Sequence, residues 1–226
     1  MKPLFRKLLR ILFVVIVAKP VITFWLGLNV RHRGRMPRRG PAIIAANHNS
    51  HLDTIALLSM FPLEEIPNVR AVAAADYFMK PGFMQWFSLN VVGIIPVMRG
   101  NAKKGVDPLE PCYEALAQGQ IRLIFPEGSR GEPEQMTELK SGISYLAARF
   151  PTVPVVPVFM RGLGKSMGKG TFIPIPFFVD VYVGRSLTWT GEKHSFMERL
   201  RAALEHGRAR LQARAGGDAN RSSQGL

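Results

Sequence analysis

The sequence contains a single cysteine, Cys112, in 226 residues. One cysteine cannot form an intrachain disulfide or a metal site of several thiolates, so both are excluded within this chain. Acidic residues are also scarce, since 16 Asp and Glu stand against 30 Lys and Arg and leave a formal net charge of +14. An excess of this size favours an anionic partner, such as nucleic acid, lipid headgroups or phosphorylated substrates.

No unbroken apolar run reaches the length of about 20 residues that crosses a bilayer. The apolar segments 11–18 and 21–28 are separated by Lys19-Pro20. A lysine beside a helix-breaking proline is costly at the bilayer midplane, so we expect two short helices that lie in the interface as a monotopic anchor. A spanning helix and a cleaved signal peptide are the alternatives.

Basic residues flank the apolar segments on both sides. They precede them at Lys2, Arg6, Lys7 and Arg10, and they follow them at Arg31, Arg33, Arg35, Arg38 and Arg39. This arrangement suits an anionic cytoplasmic leaflet. The predicted location is therefore a membrane surface, at the cytoplasmic face of a bacterial inner membrane.

Apolar segments that predict strands alternate along the chain with segments of helical periodicity. The predicted strands are 42–46, 69–75, 91–98, 121–125, 153–159 and 177–183, and the predicted helices are 51–60, 109–118, 137–149 and 192–213. This order is typical of an α/β fold with a mixed central sheet flanked by helices, preceded by a membrane-associated helical segment. The predicted domains are an anchor at 1–30, a folded domain at 31–213 and a disordered tail at 214–226.

His48 and Asp53 follow the first of these strands. Their spacing of five residues turns them about 140° apart on a regular helix and places them on opposite faces of a strand. They can meet only if the chain bends between them, and Asn47, Asn49 and Ser50 are typical turn residues. Ser50 could then cap the helix 51–60 and place Asp53 in its first turn. A carboxylate on one nitrogen of the ring would leave the other as a base. A plain capping box with a turn histidine is the alternative.

A second polar cluster, 125–130, follows the strand that begins at Ile121. It contains Glu127, Gly128 and Arg130. Two polar clusters at the ends of two strands predict one active site at one edge of the sheet.

Four sequence blocks now carry a resemblance to a known family. They are N-H-x-x-x-x-D at 47–53, glycine and an apolar run ending in arginine at 93–99, F-P-E-G-S-R at 125–130 with Lys140-Ser141-Gly142 on the next helix, and V-P-V-V-P-V at 153–158. In this order they closely resemble the glycerolipid acyltransferases, typified by bacterial 1-acylglycerol-3-phosphate acyltransferase. The resemblance covers residues 30–190.

The resemblance implies transfer of a fatty acyl group from a thioester to a hydroxyl of a lysophospholipid. The expected acceptor is 1-acylglycerol 3-phosphate and the product is phosphatidic acid. The donor is acyl-CoA or acyl carrier protein, and no cofactor or metal is expected. His48 is the expected general base and Asp53 orients it. The expected substrate-binding residues are Arg99, Glu127, Gly128, Arg130 and Lys140, with the two arginines directed at phosphate.

Other interpretations remain at this stage. Glycerol 3-phosphate or a lyso amino-acid lipid could replace the expected acceptor. A non-enzymatic basic binder of membrane or nucleic acid is allowed by charge alone, although no nucleic-acid-binding motif is recognised and nucleic acid is not an expected partner. A serine hydrolase of lipids is a further alternative.

Overall fold

The computed structural model describes residues 2–75, 82–98, 107–132, 134–166, 175 and 177–223, with side chains described as far as Arg214. Within these residues a seven-stranded mixed sheet forms the centre of the fold. The strands are β1 (Leu28–Arg31), β2 (Ala42–Ala46), β3 (Val69–Ala74), β4 (Ile95–Val97), β5 (Ile121–Ile124), β6 (Val155–Arg161) and β7 (Val179–Val183). The predicted α/β class with a mixed sheet is confirmed.

The strand order is β1-β7-β6-β2-β5-β3-β4. Strands β2 to β6 are mutually parallel, whereas β7 runs antiparallel to β6 and parallel to β1. Parallel neighbours need long crossover connections, and short helices supply them. The helices are α1 (Pro3–Phe13), α2 (Leu52–Ser59), α3 (Phe83–Phe87), α4 (Glu110–Ala117), α5 (Gly142–Arg149), α6 (Leu163–Ser166) and α7 (Lys193–Ser223).

The two faces of the sheet pack against different helices, because alternate residues of a strand point to opposite faces. Ile44 of β2 lies in a core cluster with Val14 of the N-terminal helix and Leu57 of α2. Ile43 lies in a second cluster with Phe196 of α7. The N-terminal helix and α7 therefore cover opposite faces of the sheet.

The N-terminal helix is one continuous element, Pro3–Trp25, and not the two short helices expected. Its first part, α1, is α-helical, and π-type turns follow at Val14–Ala18 and Val21–Trp25. These wider turns carry the backbone past Lys19-Pro20, where a regular α-helix would lose a hydrogen bond. The helix is long and apolar enough to cross a membrane.

The same helix is also part of the core. Its buried stripe comprises Arg10, Val14, Ala18, Ile22 and Leu26. On a regular α-helix a step of four residues turns the stripe by about 40°, so four steps would carry it by about 160° around the helix. Because π-type turns underwind the backbone, they keep this stripe on the sheet.

Most predicted elements differ from the structure by one or two residues at an end, and three differ by more. The predicted strand 91–98 is a strand only at Ile95–Val97, because a π-type turn at Ser88–Val92 ends at the left-handed Gly93. The predicted helix 137–149 begins at Gly142. The last helix continues to Ser223 instead of ending at 213, so the segment 214–226, predicted to be disordered, is helical as far as Ser223.

Candidate active site

His48 and Asp53 meet directly beyond the end of β2. Nδ1 of His48 lies 2.8 Å from Oδ2 of Asp53. The His48 side chain keeps 21% of its surface exposed, whereas that of Asp53 keeps 2%. The bend inferred from the sequence is therefore present, and it leaves an accessible imidazole on a buried carboxylate.

The Asp53 carboxylate is held by the backbone of the turn that it closes. Its Oδ2 accepts hydrogen bonds from the backbone N–H of Asn49 at 2.7 Å and of Ser50 at 2.8 Å. The helix α2 begins at Leu52, so its N-cap residue is His51 and not Ser50. Ser50 Oγ accepts from the backbone N–H of Leu52 at 3.2 Å. One carboxylate thus both holds the turn and contacts the histidine ring.

The Nδ1 contact also determines the chemistry of the ring. An ionised carboxylate only accepts hydrogen bonds, so the proton between the two groups belongs to Nδ1. The other nitrogen, Nε2, then carries a lone pair and can accept a proton. Phe125 fixes the plane of the ring, since the two ring centroids lie 4.2 Å apart with an interplanar angle of 20°.

Glu127 joins the second polar cluster to the first. Its Oε1 accepts from the backbone N–H of His48 at 2.9 Å. Its Oε2 accepts from the backbone N–H and the hydroxyl of Thr137, at 3.0 and 2.9 Å. Glu127 is 2% exposed. Its carboxylate therefore holds residues 47–53 in place and lies largely out of solvent. We call this segment the catalytic turn, because it contains both expected catalytic residues.

A tight turn places the rest of this cluster. Gly128 has φ of +75°, a conformation that side chains rarely adopt, and its N–H donates to the carbonyl of Phe125 at 3.0 Å. The backbone N–H of Lys140 donates to the carbonyl of Pro126 at 2.7 Å. The Lys140 side chain is exposed and pairs with Glu138 at 3.4 Å. The Lys140 backbone therefore supports the turn, and its ammonium group faces solvent.

Arg130 contacts the ring of His51 through its guanidinium and Nε2. Burial and the neighbouring charge of Arg130 lower the pKa of His51, so this imidazole is neutral at neutral pH and Nε2 can accept from the guanidinium. The backbone of the same loop is tied to the catalytic turn, because the N–H of Gly131 donates to the carbonyl of His48 at 3.0 Å. The second cluster therefore places a cation beside the catalytic turn.

Two asparagines, which the sequence indicates as turn residues, fix the turn to its surroundings. Asn47 Oδ1 accepts from the backbone N–H of Met160 at 2.7 Å, and its Nδ2 donates to the carbonyl of Met160 at 2.9 Å. Asn49 Nδ2 donates to the carbonyl of Glu132. Both side chains are buried. Asn47 also opens the N-H-x-x-x-x-D block, but the sequence does not indicate either partner.

Six of the seven expected site residues lie in this one region: His48, Asp53, Glu127, Gly128, Arg130 and Lys140. The seventh, Arg99, lies outside the described residues. Across the parts of the chain that the structure describes, no group of three or more His, Cys, Asp or Glu side chains could hold a metal ion.

Residues 164–168, G-K-S-M-G, match the G-x-S-x-G pattern of serine hydrolases. That pattern requires a serine exposed on a sharp turn between a strand and a helix. Ser166 instead ends the short helix α6 and is 1% exposed. Its Oγ lies 3.5 Å from the carbonyl of Phe177. The match therefore does not place an accessible nucleophile beside a base.

Comparisons with known proteins show what this chain is similar to. A model of the acyltransferase family matches residues 27–161. The chain is 31% identical over 131 residues to a chloroplastic 1-acyl-sn-glycerol-3-phosphate acyltransferase of Arabidopsis thaliana. The aligned residues cover 58% of this chain and 35% of the relative. It is 26% identical over 144 residues to the human 1-acyl-sn-glycerol-3-phosphate acyltransferase alpha, covering 62% of this chain and 48% of that one.

The chain thus spans about a third to a half of the length of these curated relatives. Among solved structures it resembles the 1-acyl-sn-glycerophosphate acyltransferase PlsC from Thermotoga maritima. The TM-score is 0.74 at 20% identity, over 93% of this chain and 87% of that one. This likeness extends through the sheet and its covering helices.

Proposed function

Because this chain belongs to the acyltransferase family, we propose that it transfers a fatty acyl group from a thioester donor to the free hydroxyl of 1-acylglycerol 3-phosphate, which yields phosphatidic acid. The relatives named for this reaction support the choice of acceptor. The observation that carries the proposal is the His48–Asp53 contact of 2.8 Å at the sheet edge that also holds Glu127 and Arg130.

In the proposed mechanism His48 is the general base. The acceptor hydroxyl gives its proton to Nε2 as its oxygen attacks the thioester carbonyl, and the Nδ1–H bond to Asp53 stabilises the resulting imidazolium. A tetrahedral intermediate forms and collapses by breaking the carbon–sulfur bond. The proton on Nε2 then passes to the departing thiolate. Base catalysis of this kind contributes about 10²–10⁴ in rate, and binding both substrates side by side contributes further.

Arg130 is proposed to bind the acceptor phosphate. In the acceptor the free hydroxyl and the phosphate sit on adjacent carbons, so a phosphate ligand must lie close to the base. Arg130 meets this requirement through its contact with His51, three residues from His48. A guanidinium can bind phosphate through two hydrogen bonds. Arg99, Gly128 and Lys140 remain proposed contributors to substrate binding, and Glu127 is proposed to act by holding His48.

The acceptor is a membrane lipid, and the N-terminal helix supports a membrane location. Its outward side exposes large apolar residues: Leu4, Leu8, Leu12, Ile16 and Phe24. An enzyme held at the interface can take the lysolipid laterally and avoid drawing its chain into water, which costs about 0.8 kcal/mol per CH₂. The net charge of +14 favours an anionic leaflet, and the cytoplasmic face of a bacterial inner membrane is the proposed site.

The test is a panel of acceptors with a radiolabelled acyl donor and mass spectrometry of the products. The panel contains 1-acylglycerol 3-phosphate, glycerol 3-phosphate and a lyso amino-acid lipid. We expect phosphatidic acid from the first, with His48→Ala inactive yet still bound to vesicles. Transfer that survives in His48→Ala would refute the assignment of the base. A wild-type chain that acylates none of the three would refute the proposed function.

A further inference from the structure

A cavity of about 570 Å³ lies away from the catalytic turn, at the β1 edge of the sheet. Its charged and titratable lining is Arg31, His32, Arg35, Arg185, His206 and Arg210. Among the lining residues that the structure describes there is no carboxylate. We call this cavity the basic pocket. Its volume is in the range of small-molecule sites.

The basic pocket is assembled from three separate parts of the chain. Arg31 ends β1, Arg185 follows β7, and His206 and Arg210 share one face of α7 at a spacing of four residues. Tyr182 forms part of the floor, with the His32 ring 5.2 Å from its ring on one side and the His206 ring 5.7 Å away on the other. Such convergence brings like charges together, which is unfavourable unless a counter-charge occupies the space between them.

One guanidinium of the basic pocket is held before any ligand arrives. Arg35 donates from Nη1 to the carbonyl of Val183 at 3.1 Å. The chain reaches Arg35 through His32, whose φ of +57° turns the backbone sharply at the end of β1. A preformed fork of this kind suits the paired oxygens of a phosphate group.

The position of the basic pocket excludes the acceptor's phosphate as its ligand. Across the sheet, Arg31 of β1 pairs with Tyr182 of β7, and Tyr182 pairs with Phe159 of β6. Val158, the residue before Phe159, pairs with Ala46 at the end of β2. Arg31 is therefore level with the end of β2 but three strand spacings away, about 14 Å at ~4.8 Å per strand. The rest of the basic pocket lies further from the turn, since Leu187 in its lining pairs with Val155, and Val155 pairs with Ile43 near the start of β2. The acceptor's phosphate is only a few bonds from its reacting hydroxyl and cannot span this distance.

The face on which the basic pocket lies argues for a water-soluble ligand. Its lining includes α7, whereas the exposed apolar side of the N-terminal helix belongs to the opposite face of the sheet. A membrane held by that helix would lie on the far side of the sheet from α7. The ligand must therefore be soluble in water and long enough to reach from the basic pocket to His48. A donor such as acyl-CoA meets both conditions, because a flexible arm separates its thioester from its phosphates.

We propose that the basic pocket binds the nucleotide phosphates of an acyl-CoA donor while its thioester reaches His48. This rests on the proposed function, since it names the donor of that reaction. Several guanidinium groups match the several phosphates of the nucleotide end. The pantetheine arm would run along the sheet edge from β1 toward β2.

The first experiment measures binding directly. Calorimetry on the full chain in detergent micelles compares coenzyme A with adenosine 3′,5′-bisphosphate. Variants Arg185→Glu and Arg210→Glu change the basic pocket, and Arg199→Glu makes the same charge change on an exposed part of α7 outside it. We expect both pocket variants to bind each ligand about tenfold more weakly or worse, and the control to stay within about twofold. Equal binding by all four proteins would overturn the proposal.

The second experiment separates the basic pocket from the chemistry. With acyl-CoA, the pocket variants should raise the donor KM about tenfold at unchanged kcat. With a short acyl thioester that lacks the nucleotide, they should match the wild type. Pocket variants that lose binding to anionic vesicles but keep coenzyme A would overturn the proposal in favour of a lipid ligand. Variants that bind acyl carrier protein more weakly but bind coenzyme A as the wild type does would also overturn the proposal.

The two proposals can fail separately. Binding of coenzyme A that depends on Arg185 and Arg210, without any acyl transfer, would support the basic pocket and refute the proposed reaction. Acyl transfer with an unchanged donor KM in both variants would support the proposed reaction and refute the proposed role of the basic pocket. Arg185→Gln and Arg210→Gln, with matching thermal midpoints, guard against a loss caused by misfolding.

Discussion

At the residue scale, one hydrogen bond decides which nitrogen of His48 can act as a base. The Asp53 oxygen that faces Nδ1 also accepts two backbone N–H groups, so it is fixed in place by three donors. The carboxylate thus does more than attract a charge, since it determines the tautomer of the ring and the shape of the turn together.

Replacing Asp53 with Asn tests this dual role. An amide oxygen at the Oδ2 position can still accept all three hydrogen bonds, but it carries no charge to stabilise the imidazolium that forms when Nε2 takes a proton. An NH₂ group at that position would instead lose both backbone bonds and force the ring proton onto Nε2, where the base should be. We expect kcat to fall about 10²–10⁴-fold while the fold persists. Turnover assays would measure kcat, and circular dichroism would check that the variant is folded. A variant with near-normal kcat would mean that the charge of the carboxylate is not needed for the base to work.

Glu127 offers a second test, through stability. A glutamine there must direct its NH₂ either at the His48 N–H or at the donors of Thr137, so one buried contact is lost in either orientation. We expect Glu127→Gln to lower the free energy of unfolding by about 1–3 kcal/mol. The matched control is Glu138→Gln, at a highly exposed neighbour, with an expected change below about 0.5 kcal/mol. Urea unfolding measures both, and equal effects would contradict the assigned role.

The sequence predicted the pairing of His48 with Asp53, because the turn residues allow the bend that the spacing requires and the neighbouring blocks resemble a known family. The spacing alone left a plain capping box as the alternative. It could not predict the partners of Asn47 or Thr137. Asn47 contacts a residue 113 positions away, and Thr137 contacts one 10 positions away. Both contacts depend on the positions of β6 and of the loop after β5 in the folded protein. Polar residue types beside a strand end indicate that a partner is needed, but not which one.

At the element scale, the segments with strong periodicity were predicted well and the segments held by tertiary contacts were not. Strand β2 has the predicted bounds because all five of its residues are apolar and buried. The helix expected from residue 137 begins at Gly142, since Glu127 takes the N–H of Thr137 and Pro126 takes that of Lys140. Long-range hydrogen bonds here outweigh helical periodicity.

The N-terminal helix is joined to the domain by a buried arginine. Arg10 donates to the carbonyls of Pro67, Val69 and Val92, and a Cβ on Gly93 would clash with its guanidinium. Arg10→Met would leave these buried carbonyls without that donor. We expect a loss of about 2–4 kcal/mol in the free energy of unfolding, measured in detergent micelles. Arg6→Met, at an exposed site on the same helix, is the control. No difference between the two variants would show that the helix is held by apolar packing alone.

At the scale of the whole molecule, charge and apolar surface act on the membrane in different ways. The N-terminal helix exposes Leu12 and Ile16 at 55% and 62%, and the chain carries a net charge of +14. Attraction between exposed charges and an anionic surface is screened at a Debye length of about 10 Å in 0.1 M salt, whereas burial of apolar side chains is not. The two contributions can therefore be separated by ionic strength.

We expect binding to vesicles that contain anionic lipid to weaken as salt rises and then to level off at a residual value. The falling part reflects basic residues near the surface, at about 1 kcal/mol each. The residual part reflects the apolar side of the N-terminal helix, so Leu12→Ser with Ile16→Ser should reduce it and leave the thermal midpoint unchanged. Vesicle flotation at several salt concentrations measures both parts. Residual binding that is as strong in the double variant as in the wild type would assign membrane contact to another surface, for which the exposed Phe83 and Trp86 of α3 are the next positions to replace.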